Sequence, residues 1–141
     1  MLSIGADVVI ESFVKVKFAG GVGDVVIGPR SYINAGVVIY SGHGVHLGTG
    51  VLIAANCTLA ATNHETADPD RLIRDQGFKP SKGGIIIEDD VWIGANSVIL
   101  DGATIKRGAI VGAGSFVRGI VESNTRVGGN PLRVLGVRGQ A

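Results

Sequence analysis

The sequence is poor in aromatic residues and almost lacks cysteine. Phenylalanine, tryptophan and tyrosine make up 5% of the 141 residues, whereas hydrophobic residues together make up 45%. We therefore expect an aliphatic, narrow core. The single Cys57 excludes an intramolecular disulfide and a metal cluster held by several cysteines.

The sequence also lacks long apolar runs and a strong charge. No run approaches the roughly 20 apolar residues of a membrane-spanning helix, and Met1 to Asp7 do not resemble a secretory signal. We therefore expect a cytoplasmic protein with no membrane span. The net charge of +1 and the few aromatic residues argue against nucleic-acid binding. The length predicts one domain, residues 1–141.

What the chain does have is glycine, 23 residues spread along its length, and a period of six. An aliphatic residue returns at every sixth position, and a smaller residue follows four positions later. The main series is Ile87, Ile93, Ile99, Ile105, Val111 and Val117; earlier series are Ile27, Ile33, Ile39 and Leu47, Ile53, Leu59. Amphipathic helices repeat at three and four residues and single strands at two, so neither explains this period.

A period of six predicts an all-β triangular prism, in which each hexapeptide forms one short strand and one turn. Three hexapeptides close a coil of about 18 residues, and successive coils pair through their backbones at the usual strand spacing of about 4.8 Å. The aliphatic residues then point inward. Cys57 follows Ile53 by four positions, so we interpret it as a core residue.

The period is interrupted between Leu59 and Ile87 by a polar stretch with prolines and glycines. We predict a protruding loop over about residues 65–84, directly after His64. Long loops in compact domains are commonly functional. Because a solenoid has no cleft of its own, we expect this loop, a prism corner or a second copy of the chain to form the site.

Two motifs give the sequence a recognisable resemblance. Val91-Trp-Ile-Gly94 and the tail Gly129-Asn-Pro-Leu-Arg-Val134 resemble hexapeptide-repeat acetyltransferases, especially the maltose, galactoside and surface-polysaccharide O-acetyltransferases. The resemblance covers roughly residues 27–135. It implies a single-stranded left-handed parallel β-helix, acetyl-coenzyme A (acetyl-CoA) as the acetyl donor, and a homotrimer with its sites between subunits. No metal cofactor is expected.

The resemblance also implies roles for individual residues. His64 matches the catalytic histidine and Asn34 the asparagine that contacts the acceptor, while Trp92 matches a tryptophan that walls the site. Trp92 packing between subunits is an equal alternative. For Phe78 two roles remain open: it anchors the loop through an apolar contact, or it contacts a sugar ring.

The coenzyme positions come from the same resemblance. The backbone N–H of Ala95 is expected at the thioester carbonyl, and Gly112, Ala113 and Ser115 along the pantetheine arm. Arg133 is expected near the phosphates, and Arg118 is a candidate there because relatives often carry a lysine at the position of Gly119. Residues 101–141 carry six basic residues against Asp101 and Glu122, which fits either a phosphate site or scattered surface charge. The tail is expected over about residues 124–141.

These assignments predict an O-acetyltransferase for a saccharide or sugar-nucleotide hydroxyl. A neutral imidazole can take the hydroxyl proton as attack proceeds, and a main-chain amide can stabilise the oxyanion. An amino-sugar N-acetyltransferase or a xenobiotic acetyltransferase is the alternative.

Two further classes remain open. His46 precedes His64 by 18 residues, one nominal coil, so the two histidines would lie on neighbouring coils at one corner. Such a pair suggests a metal site like that of the β-helical carbonic anhydrases. Surface or interface roles for His43 and His46 are the simpler interpretation. A scaffold without activity is the remaining class, and acetyl-CoA binding distinguishes it.

Overall fold

A computed structural model describes residues 1–140 of the chain, so Ala141, the last residue of the predicted tail, lies outside the described part. Short strands dominate these residues: β1 (Leu2–Ile4), β2 (Val9–Ile10), β3 (Lys15–Lys17), β4 (Val25–Ile27), β5 (Tyr32–Ile33), β6 (Val38–Tyr40), β7 (Val45–Leu47), β8 (Leu52–Ile53), β9 (Thr58–Ala60), β10 (Ile85–Ile87), β11 (Trp92–Ile93), β12 (Val98–Leu100), β13 (Thr104–Ile105), β14 (Ile110–Val111), β15 (Phe116–Val117), β16 (Ile120–Val121), β17 (Thr125–Gly128) and β18 (Arg133–Val137).

The strands form the three faces of a prism. Face A runs β1-β4-β7-β10-β13-β16, face B runs β2-β5-β8-β11-β14-β17-β18, and face C runs β3-β6-β9-β12-β15. Every pairing is parallel except that of β17 with β18, which folds the tail back antiparallel. The chain thus visits faces A, B and C in turn about six times, and the predicted parallel β-helix is confirmed.

The core is the inside of this prism, and it is filled by the residues of the six-residue series. The members at Ile33, Ile39, Ile53 and Ile99 are fully buried, and Cys57 is fully buried as well. Burying one such aliphatic side chain contributes about 1.5–3 kcal/mol, so the residues of the six-residue series stabilise the folded prism. The interpretation of Cys57 as a core residue is confirmed.

The first coil, β1 to β3, also follows the period through Ile4, Ile10 and Val16, which the sequence reasoning did not use. The shift of two residues between Ile39 and Leu47 has a local cause. The corner at residues 41–44 is longer, and a Cβ on Gly42 there would collide with the carbonyl oxygen of Ala61. Glycine is therefore required where this corner packs on the next coil.

The interruption is a loop between β9 and β10, with a short 3₁₀ helix at Ile73–Asp75. The stretch between the two strands is residues 61–84, so it begins four residues before the predicted start at 65. Its first residue, Ala61, still contacts the solenoid, since the Ala61 carbonyl accepts a hydrogen bond from the His43 amide at 3.0 Å. The loop leaves the corner between faces C and A. No helix within residues 1–140 has the length and apolar character needed to cross a membrane.

Candidate active site

His64 lies at the neck of the loop, where the two loop strands meet in an antiparallel bridge with Phe78. The Lys79 amide donates to the Asn63 carbonyl at 2.8 Å, and the Glu65 amide donates to the Gly77 carbonyl at 3.0 Å. The rings of His64 and Phe78 stack with centroids 4.8 Å apart and an interplanar angle of 28°. Phe78 therefore holds the imidazole at a fixed place on the outside of the prism.

The imidazole of His64 is exposed, and its ring nitrogens have no hydrogen-bond partner among residues 1–140. The neighbouring Glu65 turns away from it. The Glu65 carboxylate accepts the amides of Thr66 and Ala67 at 2.8 and 3.1 Å, and these two bonds lower the pKa of Glu65. His64 is therefore accessible, and no carboxylate of residues 1–140 forms a hydrogen bond that would orient it.

The return end of the loop is fixed by Asp101, which is only 5% exposed. Its carboxylate accepts the amides of Lys82 and Gly84, each at 2.8 Å. Asp101 occupies the same C–A corner one coil further on, so this carboxylate ties the loop to the solenoid. The farther part of the loop is also ordered, since the Gln76 side chain bonds to both the amide and the carbonyl of Asp68.

Two clefts flank His64 along the prism axis. The first, which we call the basic cleft, lies toward the C-terminal coils, has a volume of about 500 Å³ and is lined by His64, Lys79, Lys82, Leu100, Asp101 and Arg118 among others. The second, the aromatic cleft, lies toward the N-terminal coils, has a volume of about 320 Å³ and is lined by Ala19, Tyr40, Ala60, Thr62, His64 and Phe78. His64 is common to both clefts, so it borders two chemically different spaces.

The remaining predicted residues lie mostly at another corner. Asn34, Ala95, Gly112 and Ala113 follow strands of face B and sit at the corner between faces B and C. Face C separates them from His64, so one chain does not bring the two groups together. Asn34 follows β5 of face B and His64 follows β9 of face C, four strands later, so the two residues are one coil and one further face apart.

At the B–C corner the turn amides are available. Among residues 1–140, neither the Ala95 nor the Ala113 amide donates to a protein acceptor, although the amides of Gly94 and Gly112 do. The Ala95 carbonyl accepts the Gly114 amide from the next coil at 2.8 Å. The turns thus expose a row of free N–H groups along an edge of small residues.

Asn34 and Ser115 have hydrogen bonds within the solenoid. The Asn34 amide group donates to the Ile53 carbonyl at 3.0 Å. Ser115 is 2% exposed, and its hydroxyl donates to the Gly112 carbonyl and accepts the Gly129 amide. A ligand on the corner surface therefore meets the main chain at Ser115 and not its hydroxyl.

Trp92 lies on the outer side of face B and is 48% exposed. Leu52 and Ile110 are its neighbours in the strand register, so it belongs to an apolar column on that face. Arg118 is exposed beside the Phe116 ring at the C–A corner, and Arg133 is exposed in β18 at the C-terminal end of the prism. The two arginines are therefore separate, with only Arg118 near His64.

The histidine arrangement considered from the sequence is wrong. His46 is on β7 of face A, where it pairs in register with Ile86, whereas His64 lies beyond face C in the loop. The coil count fails because the loop leaves the solenoid before His64. His43 is at the C–A corner instead, and its Nε2 is buried with no hydrogen-bond partner in the described part of the chain, residues 1–140. Residues 1–140 contain no group of three or more His, Cys, Asp or Glu residues placed to hold a metal ion.

The sequence reasoning missed Tyr40, Lys79, Lys82 and Asp101 as neighbours of His64. Tyr40 is the last residue of a face C strand, as Ala60 is before the loop, and Asp101 directly follows a face C strand. This shared place at the end of face C is the sequence signal that could have identified them. A further cavity of about 490 Å³ lies at the corner between faces A and B, lined by Arg30, Asp89 and Arg107 among others. That corner carries neither His64 nor the predicted coenzyme positions.

Comparisons with known proteins agree with this architecture. Residues 84–119 match the family described as bacterial transferase hexapeptide (six repeats), and residues 23–61 match the hexapeptide repeat of succinyl-transferase. The chain is 36% identical over 109 residues to the galactoside O-acetyltransferase of Escherichia coli strain K12, covering 77% of this chain and 52% of that protein.

A second relative is the 2,3,4,5-tetrahydropyridine-2,6-dicarboxylate N-acetyltransferase of a bovine Staphylococcus aureus strain. It is 38% identical over 95 residues, which are 67% of this chain and 31% of that protein. The chain therefore spans about half the length of the first relative and about a third of the second.

Two solved structures are similar over nearly the whole chain. A hexapeptide-repeat acetyltransferase of Vibrio cholerae, complexed with acetyl-CoA, has a TM-score of 0.81 at 32% identity, covering 96% of this chain and 70% of that one. An N-acyltransferase of Bacillus cereus, in complex with dTDP and coenzyme A, has a TM-score of 0.82 at 26% identity, covering 99% of this chain and 74% of that one. With its six-residue period, three-sided solenoid and protruding loop, the chain belongs to the hexapeptide-repeat acetyltransferase family.

Proposed function

We propose that the protein transfers the acetyl group of acetyl-CoA to a hydroxyl of a saccharide or sugar nucleotide, with His64 as the general base. The observation that carries the proposal is the place of His64, an exposed imidazole held at the boundary of two unlike clefts. A group that takes a proton during transfer has to border both the donor and the acceptor.

We assign the donor to the basic cleft and to the B–C corner of a neighbouring copy. Lys79, Lys82 and Arg118 supply positive charge beside His64 for the coenzyme phosphates. The free amides of Ala95 and Ala113 suit an amide-rich pantetheine arm, since small side chains let it approach the backbone. The Vibrio relative binds acetyl-CoA on the same fold, which supports this assignment.

The two corners lie on opposite edges of face C, so one chain alone carries only half of the site. We infer that a neighbouring copy in a homotrimer completes it, with the C–A corner of one chain facing the B–C corner of the next. A head-to-tail contact of this kind closes into a ring and repeats the site three times. Asn34 then reaches the acceptor from the neighbouring chain.

In this arrangement the protein supplies one general base and one backbone hydrogen-bond donor to the reaction. His64 takes the proton of the acceptor hydroxyl as its oxygen attacks the thioester carbonyl carbon. The Ala95 amide stabilises the negative charge that develops on the carbonyl oxygen, and it does so as a backbone donor whatever the side chain. The carbon–sulfur bond then breaks, and His64 returns the proton to the leaving thiolate.

A second candidate is transfer to an amine, for which the same base and donor serve. It is favoured by the Staphylococcus relative, an N-acetyltransferase, and by the Bacillus N-acyltransferase structure. The two candidates differ in the acceptor alone.

The test is release of coenzyme A thiol from acetyl-CoA in the presence of sugars, sugar nucleotides and amino sugars. We expect release to depend on a hydroxyl acceptor and to fall at least about 100-fold in His64→Ala, as for loss of a general base. His46→Ala is the matched control, because His46 is exposed on face A. Full activity of His64→Ala would refute the assigned base, and release only with amines would favour the second candidate.

A further inference from the structure

The aromatic cleft owes its shape to one small residue on the outer side of face C. The strand register aligns Lys17, Tyr40, Ala60 and Leu100 in one column. Ala60 is the only small member of this column, so the surface recedes between Tyr40 and Leu100. The loop neck with His64 and Phe78 stands beside this recess and completes the cleft.

The Tyr40 side chain lines this cleft. It is half-buried, and its hydroxyl makes no hydrogen bond among residues 1–140. Phe78 supplies a second aromatic wall, since its ring already stacks on His64. Aromatic side chains bind the apolar face of a sugar ring, and they also bind planar rings. They add little preference for one hydroxyl pattern over another.

Lys17 adds a charge to the same column. Its ammonium lies 5.4 Å from the centroid of the Tyr40 ring, and no carboxylate within residues 1–140 forms a salt bridge with it. By the usual strand spacing, Lys17 lies two rungs, about 10 Å, from the Ala60 recess beside His64. A hexose with one anionic substituent bridges that distance.

We infer that the aromatic cleft is the acceptor site and that Tyr40 and Lys17 determine its specificity, selecting a ring compound that carries a phosphate or carboxylate. This inference rests on the proposed function. The two clefts differ in charge. Lys79, Lys82 and Arg118 border the basic cleft and suit the coenzyme, whereas Lys17 lies over Tyr40 beside the aromatic cleft and forms no salt bridge within residues 1–140.

The experiment measures binding of three small probes to the full chain in the presence of coenzyme A. Methyl α-D-glucopyranoside is neutral, α-D-glucose 1-phosphate carries a phosphate, and methyl α-D-glucuronide carries a carboxylate. We expect both charged probes, or one of them, to bind more tightly than the neutral probe. Lys17→Gln should reduce the ratio of charged-probe to neutral-probe affinity about two- to fivefold, which corresponds to the loss of an exposed ion pair. The affinity for the neutral probe should not change.

Matched variants separate this role from a general effect of charge. Lys15→Gln removes the other exposed lysine of β3, which lies beside Val38 and outside the cleft, and should not change the preference. Tyr40→Ala should weaken all three probes by about fivefold or more, with Tyr40→Phe restoring them. Ala60→Leu should block the probes while leaving coenzyme A binding intact.

The inference is overturned if the charged probes bind no better than the neutral one, or if Lys17→Gln and Lys15→Gln have equal effects. The two charged probes show whether phosphate or carboxylate is preferred. Failure of the proposed function appears in a separate measurement, because the wild-type chain would then release no thiol from acetyl-CoA with any hydroxyl acceptor. Acetyl-CoA binding with equal affinity for all three probes would refute the acceptor inference alone.

Discussion

Removing the Asp101 carboxylate should loosen the loop that carries His64, and the hydrogen bonds that Asp101 accepts predict by how much. In Asp101→Ala the buried Gly84 amide is left without a partner, which costs about 1–3 kcal/mol. The Lys82 amide lies on an exposed residue and regains water, so it adds about 1 kcal/mol or less. We expect the free energy of unfolding to fall by about 1–4 kcal/mol in total.

Asp101→Asn is the graded variant, because its one oxygen still accepts the Gly84 amide while its NH₂ group faces the Lys82 amide. It should cost about 1–2 kcal/mol. Asp70→Ala, an exposed aspartate in the same loop whose side chain makes no hydrogen bond among residues 1–140, is the control and should change stability by less than about 0.5 kcal/mol.

The assay is urea unfolding followed by circular dichroism at one fixed protein concentration, because subunit association also stabilises the folded state. Amide hydrogen exchange in residues 61–84 shows whether the loss is local. If Asp101→Ala were as stable as Asp70→Ala, the claim that Asp101 ties the loop to the solenoid would be refuted.

Two titratable groups give further predictions. Burial raises the pKa of the Cys57 thiol, so the native thiol should react with a disulfide reagent at pH 8 only as the chain unfolds; rapid reaction of the native protein would contradict its core position. Because that pKa is raised, the contribution of Cys57 to stability is complete below its unfolded value and is lost as the pH rises above it. The Glu65 carboxyl should titrate below its ordinary pKa of 4.5, because the Thr66 and Ala67 amides favour its charged form. Its stabilisation of the loop neck is therefore present above that value and lost as the pH falls through the folded pKa, and a carbon-13 NMR midpoint at or above 4.5 would refute this.

The solenoid could be predicted from the sequence because the residue types themselves repeat every six positions. Ile87, Ile99 and Val117 are inward in the structure as the series requires, and Ser97 occupies a buried small position. The first coil escaped notice because residues 18–24 break the phase between Val16 and Ile27. A period identifies inward residues only where its phase is known.

The site was harder to predict than the fold. The family resemblance pointed to His64, but the residues that shape its two clefts come from other coils. Tyr40 and Asp101 reach the His64 corner because the coils stack. Their alignment cannot be found by counting 18 residues per coil, since the longer corner at 41–44 and the loop at 61–84 add residues to that count. The two-residue shift alone moves every later position to a different place on the prism, so corner assignments needed the strand register.

The claim that one site is built from two corners of different copies is tested most directly by subunit complementation. His64→Ala removes the base at the C–A corner, and Ala113→Trp, at an exposed position, blocks the B–C corner. Ala6→Trp, exposed at the A–B corner of the first coil, controls for the added bulk.

Each of the two site variants should be inactive alone. When they are unfolded together in equal amounts and refolded, random assembly pairs an intact C–A corner with an intact B–C corner in about a quarter of the sites. The measurement is the rate of acetyl-CoA thiol release by the mixture. We predict recovery of about a quarter of wild-type activity; a mixture as inactive as its components would contradict a site shared between copies.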